Sequence, residues 1–124
     1  MPRATVSTDT ERFELKSCPE AFVVLRRMSY GEFMQRQQLA MNMSMKAPGG
    51  NNSEEAEASF KMVQDKVAEF EFRSCITDHN LEDENGQLLQ FKFPKAVHML
   101  DPRIGQEVSA LIDGMNQLQE ELGN

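Results

Sequence analysis

Phe22-Val23-Val24-Leu25-Arg26-Arg27-Met28-Ser29-Tyr30-Gly31-Glu32-Phe33 is the stretch where the backbone period of this chain changes. Phe22–Leu25 is a compact β-branched and aromatic run, which reads as a strand. Ser29 and Glu32 then form an S-x-x-E capping box, in which each side chain satisfies a backbone N–H at a helix opening. Met28 ahead of the cap and Phe33 at the fourth helical position can close a hydrophobic staple. The spacing predicts a strand feeding directly into a helix from about Tyr30 to Met45.

Working back from that junction, Arg12–Lys16 alternates, with Phe13 and Leu15 on one face and Arg12, Glu14 and Lys16 on the other. Ser17–Glu20 between the two runs contains a proline, so residues 12–25 read as a β-hairpin. Residues 1–11 lack periodicity and read as a flexible arm. Working forward, Ala47–Asn52 (APGGNN) is a breaker expected to form a mobile loop. Ser53 should cap a second helix, with Glu54, Glu55 and Glu57 where the dipole favours negative charge. Phe60, Val63, Val67 and Phe70 recur at helical spacing, which carries that helix to about Thr77 against a competing strand at Glu69–Arg73.

Asn80–Gly86 reads as a polar turn, Leu88–Phe93 as a short extended segment, and Pro94–Leu100 as a short helix. Asp101-Pro102 opens a last helix, along which Ile104, Val108, Leu111, Met115, Leu118 and Leu122 form a seam ending at Gly123. The expected fold is α+β and mainly α-helical: an N-terminal β-hairpin followed by three to four helices. Residues 12–124 should form a single domain.

Bulk composition narrows the function. The chain has 124 residues, enough to bury one core without staples. That core lacks Trp and draws on eight Phe and nine Met. Net charge is −7 and uneven: residues 1–46 hold seven Lys/Arg against five Asp/Glu, while residues 47–124 hold six against fifteen. This balance argues against nucleic acid and anionic membranes as partners. With neither a leader nor an apolar run of spanning length, Cys18 and Cys75 are expected to be reduced thiols.

The candidate chemistry is thin. Cys75 and His79 lie four apart and would share a helix face, and Cys18 and His98 could complete a four-ligand zinc site. No CxxC or HxxxH pair supports it, and buried thiols with a surface histidine explain the same residues. A calcium loop opened at Asp78 would need glycine at Asp83 and an acid at Leu89, and has neither. No nucleophile elbow, phosphate-binding loop or dinucleotide fingerprint occurs. The reading is therefore of a protein without catalytic residues, cofactor or metal.

The methionines are the positive signal. Met34, Met41, Met43 and Met45 share one predicted helix and supply soft, adaptable apolar surface. Tyr30, Phe33, Met34, Met41 and Met45 lie near one stripe, which is assigned to the core. At about 100° per residue, Met43 turns about 160° away from that direction, and Leu39 shares its face. Leu39 and Met43, with Met41 beside them, are the expected client-binding strip. Leu111, Met115 and Leu118 on the C-terminal seam fit either the core or a second docking surface.

The junction Phe22–Phe33 resembles the opening of tail assembly chaperones of long-tailed phages, where a strand with an L-R-x-(L/M)-(S/T)-x-G-E pattern feeds the first helix. The runs Phe72–Leu81 (FRSCITDHNL) and Leu100–Gly105 (LDPRIG) are also similar to members from phages and prophages. The resemblance touches most of residues 12–122, through short structural motifs. It implies a non-enzymatic chaperone of the host cytoplasm, absent from the mature virion. Such a protein binds the helical tape measure protein, helps recruit tail tube subunits and commonly self-associates. A programmed frameshift often gives a longer product in this family, and a chain ending at Gly123-Asn124 fits the short one. The rival readings are a small metal- or ligand-binding regulatory module and a minor structural tail protein.

Overall fold

The computed structural model describes residue 2 and residues 4–46 and 53–116, with the backbone alone described for 42–46 and 53–63. Strand β1 (Thr10–Glu14) and strand β2 (Phe22–Arg26) form the hairpin. Helix α1 (Tyr30–Lys46), helix α2 (Ser53–Cys75), strand β3 (Ile76–His79), helix α3 (Pro94–His98) and helix α4 (Pro102–Met115) follow. The fold is α+β: a three-stranded antiparallel sheet in the order β1-β2-β3, covered by helices.

β2 is the central strand because its residue types suit burial. Val23 and Leu25 are fully buried, while Phe22, Val24 and Arg26 alternate with them at intermediate exposure. A buried strand needs partners for its backbone on both edges. β1 pairs along one edge, from Thr10↔Arg26 to Glu14↔Phe22. β3 pairs along the other, with Val23↔His79 and Leu25↔Ile76, and the register shifts between Val24 and Leu25. The Thr77 hydroxyl donates to Val24 O at 3.1 Å, and Asn80 accepts from Phe22 N–H at 2.9 Å, closing that edge.

This edge corrects the expectation that the second helix continues to Thr77. The helix stops at Cys75, and β-branched Ile76 and Thr77 leave it to satisfy β2. The alternation at Glu69–Arg73 is nevertheless helical, and Glu69, Phe70, Glu71 and Phe72 are all buried. A helix buried on every side at its C-terminal end is surrounded, here by α1, α4, α3 and the sheet. Four further boundaries differ. β1 starts at Thr10, inside the stretch read as an arm, and ends at Glu14. Leu88–Phe93 is no strand; Leu88 makes one isolated bridge to Glu82, and Lys92 lies in a turn. The short helix ends at His98. The loop 47–52 and the seam beyond Met115, including Leu118 and Leu122, lie outside the described residues.

The core is the space between β2, the end of α2 and α4. Phe72, Leu25, Ile112, Val23, Val108 and Cys75 are its fully buried side chains. Phe72 meets Phe91 edge-to-face with centroids 5.6 Å apart, which anchors the long 80–93 connection. Gly86 turns that connection at φ +78°, a conformation that suits glycine. Asp101 caps α4 through Arg103 N–H at 2.9 Å, with Pro102 at the first helical position, as the sequence predicts. Glu107 on α4 then accepts from the backbone N–H groups of Lys16 and Ser17, both at 2.8 Å, and fastens the hairpin turn to the helix.

Candidate protein-binding surface

The start of α1 is built as the capping box requires. Ser29 Oγ accepts from Glu32 N–H at 3.1 Å, and Glu32 Oε1 accepts from Ser29 N–H at 2.9 Å. Arg26 at the end of β2 grips the same carboxylate with both guanidinium nitrogens, at 2.9 and 2.6 Å. The Arg26 hydrogen bonds hold the Glu32 carboxyl at about 2, well below its ordinary value. One turn on, Arg36 reaches Glu71 on α2 at 3.0 Å and Asp113 on α4 at 4.0 Å.

These ion pairs decide which way α1 faces. Glu32 and Arg36 point toward the body of the fold to meet Arg26 on β2 and the buried Glu71 on α2, and Leu39 and Ala40 share their side of the helix. The opposite side is left to water. Tyr30, Met34 and Met41, spaced four and seven apart, are 75%, 48% and 61% exposed. At the helix start this stripe borders a small cavity of about 230 Å³ lined by Val6, Met28, Tyr30, Phe33 and Met115. Asn116 fixes the cavity wall, accepting from Met28 N–H at 2.9 Å and donating to Ile112 O at 2.8 Å.

The two faces of α1 are thus exchanged relative to the sequence reading. Leu39, expected on an exposed strip, is half-buried against the core. Tyr30 and Met34, assigned to the core, are outside. Met41, which the sequence reading places both in the core stripe and beside the client strip, is exposed, and its neighbours on that face are Tyr30 and Met34. The Met43 side chain and Leu118 lie outside the described residues. Leu111 and Met115 pack half-buried against the core, and Met115 reaches the cavity that Tyr30 also lines. A signal for this orientation does exist in the sequence: Glu69 and Glu71 alternate with Phe70 and Phe72, and buried carboxylates need cations from neighbouring elements. Arg36 is one such cation.

The buried titratable groups of the core each have a structural explanation. Burial pushes the Glu71 carboxyl up to about 7, aided by Asp113 and opposed by Arg36. One guanidinium thus faces both the buried Glu71 carboxylate and the more exposed Asp113. Burial opposes ionisation of Glu69, but His98 at 2.7 Å and Lys66 at 3.4 Å together hold it below its ordinary value. Burial pushes the Cys75 thiol up to about 12, which leaves it unreactive. Burial also lowers the pKa of His79, whose Nδ1 accepts from Leu81 N–H and whose ring lies tilted against Phe91 with centroids 4.7 Å apart.

The proposed zinc ligands do not share a face. Cys75 ends α2 and His79 ends β3, while Cys18 lies in the hairpin turn and His98 pairs with Glu69. Among the described residues no group of three or more His, Cys, Asp or Glu is placed to hold a metal. No described helix is long and apolar enough to cross a membrane. Comparison with protein families, with curated proteins and with solved structures finds no match to this chain.

Proposed function

We propose that this protein is a non-enzymatic tail assembly chaperone of a long-tailed phage or prophage, acting in the host cytoplasm and absent from the mature virion. Its client would be the apolar, helical tape measure protein, around which it would help recruit tail tube subunits. The observation that carries the reading is the outward stripe of Tyr30, Met34 and Met41. Exposed apolar side chains aligned on one helix mark an interaction surface. Methionine suits a client of varied sequence, because its unbranched thioether side chain re-packs at little cost. A long helix that must be held temporarily and then released to the tube needs such a soft grip more than a shaped pocket. The charge of −7 would keep the loaded complex in solution. Self-association, which the resemblance implies, could use the same stripe when no client is present.

The experiment is co-expression with the long helical reading frame that this role places beside the gene. The wild-type chain should keep that product soluble. The variant Tyr30→Gln/Met34→Gln/Met41→Gln should fold and lose that ability. A neighbourhood with no such reading frame would contradict the reading outright.

A further inference from the structure

We propose that the cleft between the β1–β2 turn, the 80–89 loop and the α3–α4 junction binds a cationic segment of a partner protein, which inserts an apolar side chain. The cleft holds about 690 Å³, within the range of sites that enclose a few side chains. Its floor is apolar: Ala21, Leu81 and Leu89 are buried, and Leu100 and Ile104 are half-buried. Met99 stands at the edge, 52% exposed, as an adaptable wall.

The rim selects the occupant. Glu20 comes from the hairpin turn, and Glu82 and Glu84 from the facing loop, all exposed. No Lys, Arg or His is among the residues that line the cleft. Two further acids there are already engaged: Asp83 accepts from the backbone of Asn85 and Gln87, and Asp101 caps α4 and pairs with Arg103 at 3.3 Å. The carboxylates of Glu20, Glu82 and Glu84 have no cationic partner among the described residues. An apolar floor ringed by uncompensated negative charge fits Lys or Arg flanking a Leu-like side chain. A second copy of the chain would bring its own charge of −7 to the encounter, which disfavours it as the occupant.

Cys18 lines this cleft and Cys75 is fully buried, so a maleimide reports on the cleft alone. The probe is a fluorescein-labelled amphipathic peptide of Lys and Leu, with a Gln/Leu peptide of equal length as the neutral control. At low salt the Lys/Leu peptide should bind, slow the labelling of Cys18, and outcompete the Gln/Leu peptide. Glu82→Gln/Glu84→Gln should weaken it about ten-fold, as expected for two exposed charge pairs near the upper end of their range. Removing the same charge on the sheet edge, by Asp9→Asn/Glu11→Gln, should change little. Three results would each overturn the proposal. They are equal weakening by both variants, labelling of Cys18 unslowed by the peptide, and self-association that Glu82→Gln/Glu84→Gln abolishes. The cleft shares no lining residue with the cavity beside α1, so its failure leaves the chaperone reading standing.

Discussion

α1 and α4 both carry apolar side chains at helical spacing, and they turn them in opposite directions. α4 buries Val108 and Ile112 completely and packs Ile104, Leu111 and Met115 beside them. α1 sends Tyr30, Met34 and Met41 to water and directs a mixed face of Glu32, Arg36, Leu39 and Ala40 inward. The difference lies in what each helix must satisfy. The described inward face of α4 is apolar, and its polar contacts through Glu107 and Asp113 lie at the margins of that face. The inward face of α1 must deliver a cation to the buried Glu71 and a carboxylate to Arg26. An unpaired charge in that position would cost more than two or three exposed apolar side chains.

If that contrast is right, the two helices should respond differently to truncation. The largest effect is expected at Ile112→Ala, which opens a cavity in the fully buried face of α4 and should cost about 2–5 kcal/mol by denaturant unfolding. A cost near that of a surface substitution would mean α4 is not the aliphatic core helix.

The second effect concerns the polar inward face of α1 and has a definite sign in pH. Glu71 stands at about 7 in the folded protein, above its ordinary 4.5. Between these values the folded state holds the proton that the unfolded state has released. Stability from this group is therefore complete below about 4.5 and lost as pH rises through about 7. The decline should be on the order of 2–3 kcal/mol across that window. Glu71→Gln should flatten it, as measured by chemical unfolding at a series of pH values. Glu32 acts in the opposite sense: held at about 2, it contributes stability above its ordinary 4.5 that is lost as pH falls through about 2.

A smaller comparison separates the two faces of α1 directly. Leu39→Gln should destabilise by about 1 kcal/mol, since it exposes part of a half-buried aliphatic side chain. Met41→Gln, two residues away, should stay within about 0.5 kcal/mol of the unsubstituted protein. Equal costs for the two would erase the distinction between faces.

What the sequence made legible follows the same division. Local signals succeeded wherever the partner lies a few residues away: the Ser29–Glu32 box, the Asp101-Pro102 start and the Ser17–Glu20 connection each specify their own geometry. Position along the helix period correctly separated Leu39 from Met41. It could not say which of the two faces the core, because Glu71 and Asp113 lie 35 and 77 residues from Arg36 in the chain. Strand β3 escaped for a similar reason. Ile76–His79 continues a strong helical pattern, and only the unpaired edge of β2, some fifty residues earlier, draws it out. The Leu111–Met115 seam reads as apolar from its spacing, whereas Ile112 sits one residue off those heptad steps and is nevertheless fully buried.

The claim that matters most is that α1 offers its Tyr30–Met34–Met41 face to a helical client while the fold rests on the other side. Thermal unfolding and client solubility measured on one variant, Tyr30→Gln/Met34→Gln/Met41→Gln, test both halves together. The account predicts a melting temperature near that of the unsubstituted protein and a co-expressed client that precipitates. A variant that folds and still keeps the client soluble would contradict it, and a variant that unfolds would return the stripe to the core.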